Sequence, residues 1–121
     1  MIGKKFKILA VSASLTLLLT GCFKLDTLPQ LEIQVQDETG AIVSGAYAAL
    51  FESMEEWNNR KNPVQVWRKT ESDGKVVFID LKEISYYIYV RFDGMDNSVG
   101  EVSTTGSLKM NQRSKIVIHI R

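Results

Sequence analysis

From residue 31 onward, apolar and polar residues alternate, and this alternation constrains the fold more than any other feature of the chain. The stretches LEIQVQ at 31–36, SYYIYVRF at 85–92 and SKIVIHI at 114–120 place apolar residues at every second position. Successive side chains of a strand point to opposite faces, so a period of two predicts strands with one buried and one solvated face. The pattern therefore predicts an all-β domain.

Further segments of the same kind lie between these strands, and glycine-containing turns separate them. Additional strands are expected at 45–52, 63–70 and 75–81, with weaker ones near 99–104 and 107–110. Short strands joined by turns are typical of two sheets packed face to face. A chain of 121 residues is long enough for one such domain and too short for two. We predict an antiparallel seven-stranded β-sandwich.

One segment departs from the alternation and predicts a short helix. In SMEEWNN, Ser53 stands three residues ahead of Glu56, which is the spacing of a helix capping box. A helix over 54–59 is too short to be stable alone, so we expect it to lean on the sandwich through Trp57.

Two segments resemble the signatures of the carboxypeptidase regulatory-like, or transthyretin-like, sandwich family. They are VQDETGAIVSGAYAALFES at 35–53 and TESDGKVVFIDL at 70–81, and the matching residues are Gly40, Val43, Gly45, Ala46, Gly74, Val76 and Phe78. The family has an aspartate after the threonine of the second signature, where this chain has Glu71. The resemblance implies an immunoglobulin-like or transthyretin-like sandwich that serves as a stability, spacing or adhesion module. Only some members of the family bind a ligand.

The first 21 residues have the organisation of a cleaved signal peptide. A basic stretch, MIGKKFK, precedes an apolar stretch at 8–19, and Thr20 and Gly21 are small residues that fit a signal peptidase. As a helix the apolar stretch would be about 18 Å long, against a hydrocarbon core of ~30 Å. We therefore predict a signal-peptide helix over 1–21 that does not span the membrane.

Cys22 follows this leader directly and is the only cysteine of the chain. Leu19-Thr20-Gly21-Cys22 resembles the bacterial lipobox, in which cleavage exposes a cysteine that carries lipid on its thiol and an acyl chain on its amine. A lone cysteine cannot form an internal disulfide, so the usual role of cysteine in secreted proteins does not apply. The resemblance implies a lipid anchor on Cys22. The alternative is an ordinary secretory signal that is cleaved at another small residue.

The expected organisation and location follow from this anchor. We expect a signal peptide at 1–21 with cleavage between Gly21 and Cys22, a lipidated cysteine and tether at 22–30, and a sandwich at 31–121. The lipobox, the single sandwich domain and an insertion with Glu55-Glu56-Trp57 followed by Asn62-Pro63 together resemble small lipoproteins of Gram-negative bacteria. That resemblance implies a cell-envelope protein of the outer membrane. The periplasmic and the surface-exposed side both remain open.

The expected tether contains a second short motif. Residues 23–30, FKLDTLPQ, have no periodic pattern and include Pro29. Asp26-Thr27-Leu28 resembles the Asp-Ser/Thr-aliphatic acceptor of an O-glycosylation system of some Gram-negative bacteria. That resemblance implies a glycan on Thr27, and the alternative is a plain solvated linker.

Charge and side-chain chemistry argue against several classes of function. Three of the 15 basic residues lie before residue 8, so the chain beyond residue 21 carries 12 basic against 14 acidic residues. It lacks the basic face that nucleic acid requires. The single histidine, His119, is expected on the exposed face of the last strand, and zinc or copper sites need more such ligands. Acids in turns are expected to cap their own backbone rather than bind calcium. We predict no enzyme activity, no cofactor and no metal.

Outward-facing aromatic residues are the candidate functional feature. If the alternation holds, Trp67, Tyr87 and Tyr89 point outward, with Arg91 beside them and Tyr47 nearby. Exposed aromatic patches mark contact surfaces for partner proteins or sugar rings. The alternatives are cross-strand packing and burial under the short helix. We expect an interaction or structural module whose partners are the membrane and another envelope protein. Binding of a glycan or small ligand through these residues is the alternative function.

Overall fold

The computed structural model describes residues 25–121. The expected signal-peptide helix, the cleavage site at Gly21 and the expected lipid attachment at Cys22 lie outside the described residues. Within them the chain forms seven strands and one short helix. These are β1 (Gln30–Asp37), β2 (Tyr47–Phe51), α1 (Met54–Asn59), β3 (Arg68–Lys69), β4 (Lys75–Phe78), β5 (Tyr87–Phe92), β6 (Met95–Asp96) and β7 (Arg113–Ile120).

The strands form two sheets that enclose one hydrophobic core. One sheet has the order β4-β1-β7 and the other has the order β3-β2-β5-β6. Both contribute alternate side chains to the core, of which the large members are Tyr86, Phe78, Leu31, Ile33, Leu50, Leu81, Ile88, Ile118, Ile120, Val35 and Val90. Burial of their apolar area is the main stabilising term. The predicted all-β sandwich is confirmed.

One pair of strands corrects the expectation of a wholly antiparallel fold. β1 and β7 are parallel over their full lengths, from Gln30 opposite Arg113 to Asp37 opposite Ile120. The two strands lie at opposite ends of the described chain, so no hairpin between them imposes an antiparallel direction. The remaining strand pairs are antiparallel.

Three expected strands are also shorter or absent. Segment 63–70 contributes only the two residues of β3, and 99–104 and 107–110 form no regular strand. Segment 99–104 contributes one antiparallel bridge to β5, Tyr87 opposite Ser103, and the side chain of Asn97 binds β5 beside this bridge. Its Oδ1 accepts a 2.9 Å hydrogen bond from the Val90 N–H, and its Nδ2 donates 2.8 Å bonds to the carbonyls of Ile88 and Glu101. An alternation pattern does not reveal that a side chain satisfies the backbone of a strand.

The predicted helix over 54–59 is confirmed, including its start. The Oγ of Ser53 accepts a 3.1 Å hydrogen bond from the Glu56 N–H, which satisfies one of the free donors of the first turn. Within residues 25–121, no helix combines the length and apolar character needed to span a bilayer.

Candidate functional site

The outer face of the four-stranded sheet carries a second hydrophobic cluster. Ala49, Phe51 and Trp57 are buried in it, and the partly buried members are Trp67, Tyr87, Tyr89 and Val102. The helix therefore covers part of this face through Trp57, as expected from the sequence. The three aromatic residues expected to point outward do lie on the outer face, and each packs against this cluster.

Tyr89 is the centre of the cluster. It lies opposite Ala49 on the neighbouring strand, and the rings of Trp57 and Trp67 meet its ring edge-on at centroid distances of 6.0 and 5.9 Å. Such edge-to-face pairs contribute about 0.5–1.5 kcal/mol each beyond their buried area. Most of the predicted aromatic surface is thus engaged in internal packing.

Arg60, at the C-terminal end of the helix, packs against these rings. Its guanidinium carbon lies 3.5 Å from the Tyr89 ring centroid and 4.7 Å from that of Trp57, and one of its terminal nitrogens donates to the carbonyl of Trp57. The residue caps the helix in a left-handed conformation, with φ of 54°. A cation over an aromatic face is stabilised by the quadrupole of the ring.

Beside the cluster, three exposed residues from three adjacent strands form a row. Lys69 on β3 lies opposite Tyr47 on β2, and Tyr47 lies opposite Arg91 on β5. The Lys69 Nζ is 5.2 Å and the Arg91 guanidinium carbon 5.6 Å from the Tyr47 ring centroid. Neither cation forms an ion pair with a carboxylate of the described residues. We call Lys69, Tyr47 and Arg91 the tyrosine row.

The tyrosine row includes one residue that the sequence interpretation missed. Lys69 stands two positions after Trp67, so the same alternation that places the tryptophan outward also places the lysine outward. Arg91 is exposed as expected, and its guanidinium carbon also lies 5.1 Å from the Trp67 ring centroid.

An open groove of about 630 Å³ borders the row. Its lining residues are Gly45, Tyr47, Tyr89, Arg91, Phe92, Asp93, Gly94, Met95 and Asp96. The Tyr89 hydroxyl donates a 3.3 Å hydrogen bond to Asp96 Oδ2. Hydrogen bonds from the hydroxyl and N–H of Ser98 lower the pKa of Asp96. The groove thus combines an exposed ring, a cation and an ionised carboxylate.

Two of the acids expected in turns, Asp37 and Asp73, accept hydrogen bonds from nearby backbone N–H groups. Asp37 Oδ1 accepts from the Thr39 N–H, the Thr39 hydroxyl and the Ala41 N–H at 2.9, 2.6 and 3.0 Å, and Asp73 Oδ1 accepts from the Lys75 N–H at 3.0 Å. In residues 25–121, no group of three or more His, Cys, Asp or Glu side chains is placed to hold a metal ion.

His119 lies on the outer face of β7, as expected, and its side chain is half-exposed. Its N–H donates a 3.0 Å hydrogen bond to Glu101 Oε1, and its Nδ1 lies 3.3 Å from Glu101 Oε2. Burial acts to raise the pKa of Glu101, but the hydrogen bonds from the backbone N–H and side chain of His119 leave it lowered.

Thr27, the expected glycan acceptor, is exposed and hydrogen-bonded. Its N–H and its hydroxyl both donate to Asn111 Oδ1, at 2.7 and 3.2 Å.

The chain matches no protein-family model, and no curated protein matches it either. A functional proposal therefore rests on the motifs of its own sequence and on the geometry of the described residues.

Proposed function

We propose that this protein is a lipid-anchored lipoprotein of the cell envelope and that its sandwich is a non-enzymatic interaction module. The observation that carries the proposal is Leu19-Thr20-Gly21-Cys22 at the end of a short apolar segment. Burial of acyl chains contributes ~0.8 kcal/mol per methylene, so two or three chains on Cys22 would anchor the body stably without a spanning segment. The outer membrane of a Gram-negative bacterium is the proposed location.

Replacement of the cysteine tests the anchor directly. Cys22→Ala is expected to move the protein from the membrane fraction to the soluble fraction, because the acceptor thiol is lost. Ser14→Ala in the same leader is the control and is expected to leave the protein in the membrane fraction. Mass spectrometry of the mature protein is expected to find an acylated Cys22 at the N-terminus. An unmodified Cys22, or a Cys22→Ala variant that stays in the membrane, contradicts the anchor.

We also propose membership of the transthyretin-like, or carboxypeptidase regulatory-like, sandwich family. The glycines of its two signatures support this proposal, since Gly40, Gly45 and Gly74 all have positive φ, at 90°, 81° and 74°. They fall where the signatures require them: Gly40 after the end of β1, Gly45 before β2 and Gly74 before β4. Left-handed backbone strongly favours glycine, so the pattern has a conformational reason in this chain.

Binding of a glycan is the second candidate function, and the tyrosine row is the observation that favours it. Tyr47 is 40% exposed and lies next to an open groove, and the two cations that flank it pair with no carboxylate of residues 25–121. Sugar rings stack on exposed aromatic rings, and polar groups beside the ring orient them. A glycan array with the chain that begins at Cys22 separates the candidates. Retention of a specific sugar supports the glycan site, whereas co-purification of an envelope protein without sugar retention supports the protein-interaction module.

A further inference from the structure

The segment before β1 is attached to the body of the domain from Asp26 onward. Thr27 and Asn111 are 84 residues apart and exchange hydrogen bonds: the Thr27 N–H donates to Asn111 Oδ1 at 2.7 Å, and the Asn111 N–H donates to the Thr27 carbonyl at 2.8 Å. Asn111 Nδ2 also donates to Asp26 Oδ1 at 3.3 Å. Next along the chain, Pro29 is buried, and its carbonyl accepts a 3.0 Å bond from the Leu81 N–H. We call the contacts between Asp26, Thr27 and Asn111 the clasp.

The clasp leaves little chain between the expected anchor and the folded body. Four residue steps separate Cys22 from Asp26, and extended chain spans at most ~3.6 Å per step, or about 14 Å in all. A free tether over 22–30 would reach about 29 Å at the same spacing. The shorter limit follows from covalent geometry alone.

The direction of the strands decides which end of the sandwich this short connection holds. β1 and β7 run side by side from Gln30 and Arg113 to Asp37 and Ile120. The clasp lies at the end where both strands begin, and the Arg113 Nε donates a 2.9 Å bond to Gln30 Oε1 there. We call this the proximal end and the opposite one the distal end.

The tyrosine row and its groove lie at the distal end. Arg121, just beyond β7, exchanges backbone hydrogen bonds of 3.0 and 3.2 Å with Asp96, and Asp96 pairs with Arg91 of the row. Before β2, the chain that leads to Tyr47 is held at the same end, because the Val43 N–H donates a 2.9 Å hydrogen bond to the Val35 carbonyl near the end of β1. Both approaches place the row away from the clasp.

We propose that the clasp holds the proximal end of the sandwich against the headgroup layer of the bilayer and presents the tyrosine row at the distal end. This inference rests on the proposed lipid anchor at Cys22. The seven steps along β1 correspond to about 23 Å at ~3.3 Å per residue, so the row lies within roughly 40 Å of the headgroups.

The proximal end also has surface side chains that suit contact with the headgroup layer of the bilayer. Leu25 is 75% and Leu28 47% exposed on either side of the clasp, and Lys109 is exposed on the adjoining turn. Apolar side chains and lysine are both favourable at a headgroup layer, where the chain meets partly dehydrated lipid and anionic groups.

Attachment in vitro tests the orientation without depending on lipidation in the cell. The chain beginning at Cys22 is coupled through that thiol to a maleimide lipid in phosphatidylcholine vesicles. An azide-bearing residue in place of Lys109 or of Glu38 carries a dye at the proximal or the distal end. A short-range headgroup quencher is expected to reduce the Lys109-site signal at least about twofold more than the Glu38-site signal, because the two sites differ by roughly one strand length.

Two variants test whether the clasp and the short connection from Cys22 to Asp26 cause this difference in quenching. Asn111→Gly removes the side-chain partner of Thr27 and tolerates the φ of 61° at this position, and an eight-residue Gly-Ser insertion before Asp26 lengthens the tether with the clasp intact. Both variants are expected to reduce the difference in quenching between the Lys109 and Glu38 sites. Gln112→Ala, next to Asn111, is expected to preserve that difference. Equal quenching at both sites in the parent chain, or no narrowing with the insertion, overturns the proposal. If Cys22 proves to be unmodified in cells, the lipoprotein proposal is refuted, but the quenching measured in vesicles is unaffected because the lipid there is attached chemically.

Discussion

The indole N–H of Trp57 donates a 2.8 Å hydrogen bond to the carbonyl oxygen of Ile88, which joins the helix to a central strand of the four-stranded sheet. The same carbonyl accepts a 2.8 Å bond from the side chain of Asn97. One backbone oxygen of β5 therefore connects the helix on the outer face with the loop that follows β6. Its two donors are separate side chains, so each contribution can be tested alone.

Trp57→Phe is expected to lower the free energy of unfolding by about 1–2 kcal/mol, because the hydrogen bond is lost while most of the ring packing remains. Trp57→Ala is expected to lower it by about 3–5 kcal/mol through loss of the ring itself. Urea denaturation followed by circular dichroism measures both. Trp67→Phe is the matched control, since no side-chain hydrogen bond joins Trp67 to the described residues, and a loss as large as that of Trp57→Phe would contradict the role of the indole N–H.

Asn97→Ala is expected to lower the free energy of unfolding by about 3 kcal/mol. Asn97 is fully buried, and its removal leaves the Val90 N–H without the acceptor it has in the fold. Asn58→Ala, on the exposed side of the helix, is expected to change stability by less than ~0.5 kcal/mol. Similar urea midpoints for the two variants would show that water replaces the amide at no cost.

Gly74→Ala and Gly40→Ala separate backbone strain from crowding. Both glycines have positive φ, so alanine costs about 1 kcal/mol at each. A Cβ at Gly74 would clash with Ile42 Cγ2 and lie 3.2 Å from the Val35 carbonyl oxygen, whereas at Gly40 it would meet no atom of the described residues within 4 Å. Gly74→Ala is therefore expected to be the more destabilising by about 1–3 kcal/mol in urea denaturation, and equal losses would argue against the close packing of the turn.

The hydrogen-bonded carboxylate of Asp37 is expected to make the domain less stable at acid pH. Hydrogen bonds from the Thr39 hydroxyl and the Ala41 N–H lower the pKa of its carboxyl below the ordinary 3.8. A lowered pKa in the folded state means that the contribution is fully present above that ordinary value and is lost as pH falls through the folded-state pKa. The difference in thermal midpoint between the parent and Asp37→Asn is expected to shrink on acidification below about pH 4.

A second substitution checks the cause of that pH dependence. Thr39→Val removes the hydroxyl that donates to Asp37 and is expected to move the acid transition toward higher pH. A parent-to-Asp37→Asn difference that grows on acidification would reverse the sign and contradict the assignment.

The tyrosine row and the packed rings are expected to respond differently to truncation. Tyr47→Ala is expected to change the free energy of unfolding by less than about 1 kcal/mol because the ring is exposed, whereas Tyr89→Ala loses the contacts of a packed ring and costs about 3 kcal/mol. If an array identifies a retained sugar, Tyr47→Ala and Arg91→Gln are expected to weaken its retention about tenfold. Unchanged retention in both variants would place the sugar elsewhere and remove the glycan site.

Local patterns were sufficient to predict those features whose causes are local. The alternation of Leu31, Ile33 and Val35 fixes the buried face of β1, because successive side chains of any strand point to opposite sides. The helix start at Ser53 was predictable for the same reason, since a cap and its N–H partner are three residues apart. Turn acids such as Asp37 likewise accept hydrogen bonds from residues two and four positions ahead.

The aromatic face shows where local information stops. Alternation places Trp67 and Tyr89 on the outer side of their strands, but their burial depends on Trp57, which arrives from a different part of the chain. Tyr47 stays exposed on the same face because the helix does not reach it. The distinction between packed and exposed rings is therefore a property of how the helix lies on the sheet.

By itself, the sequence determined the β class, the period of the core and the helix start, since each depends on neighbouring residues or on composition. Tertiary structure alone decided the parallel pairing of β1 with β7, the hydrogen bonds of the Asn97 side chain to β5 and the contact of Thr27 with Asn111. These relationships join residues far apart in the chain, and the fold selects them by satisfying backbone groups and apolar faces together, which no local period encodes.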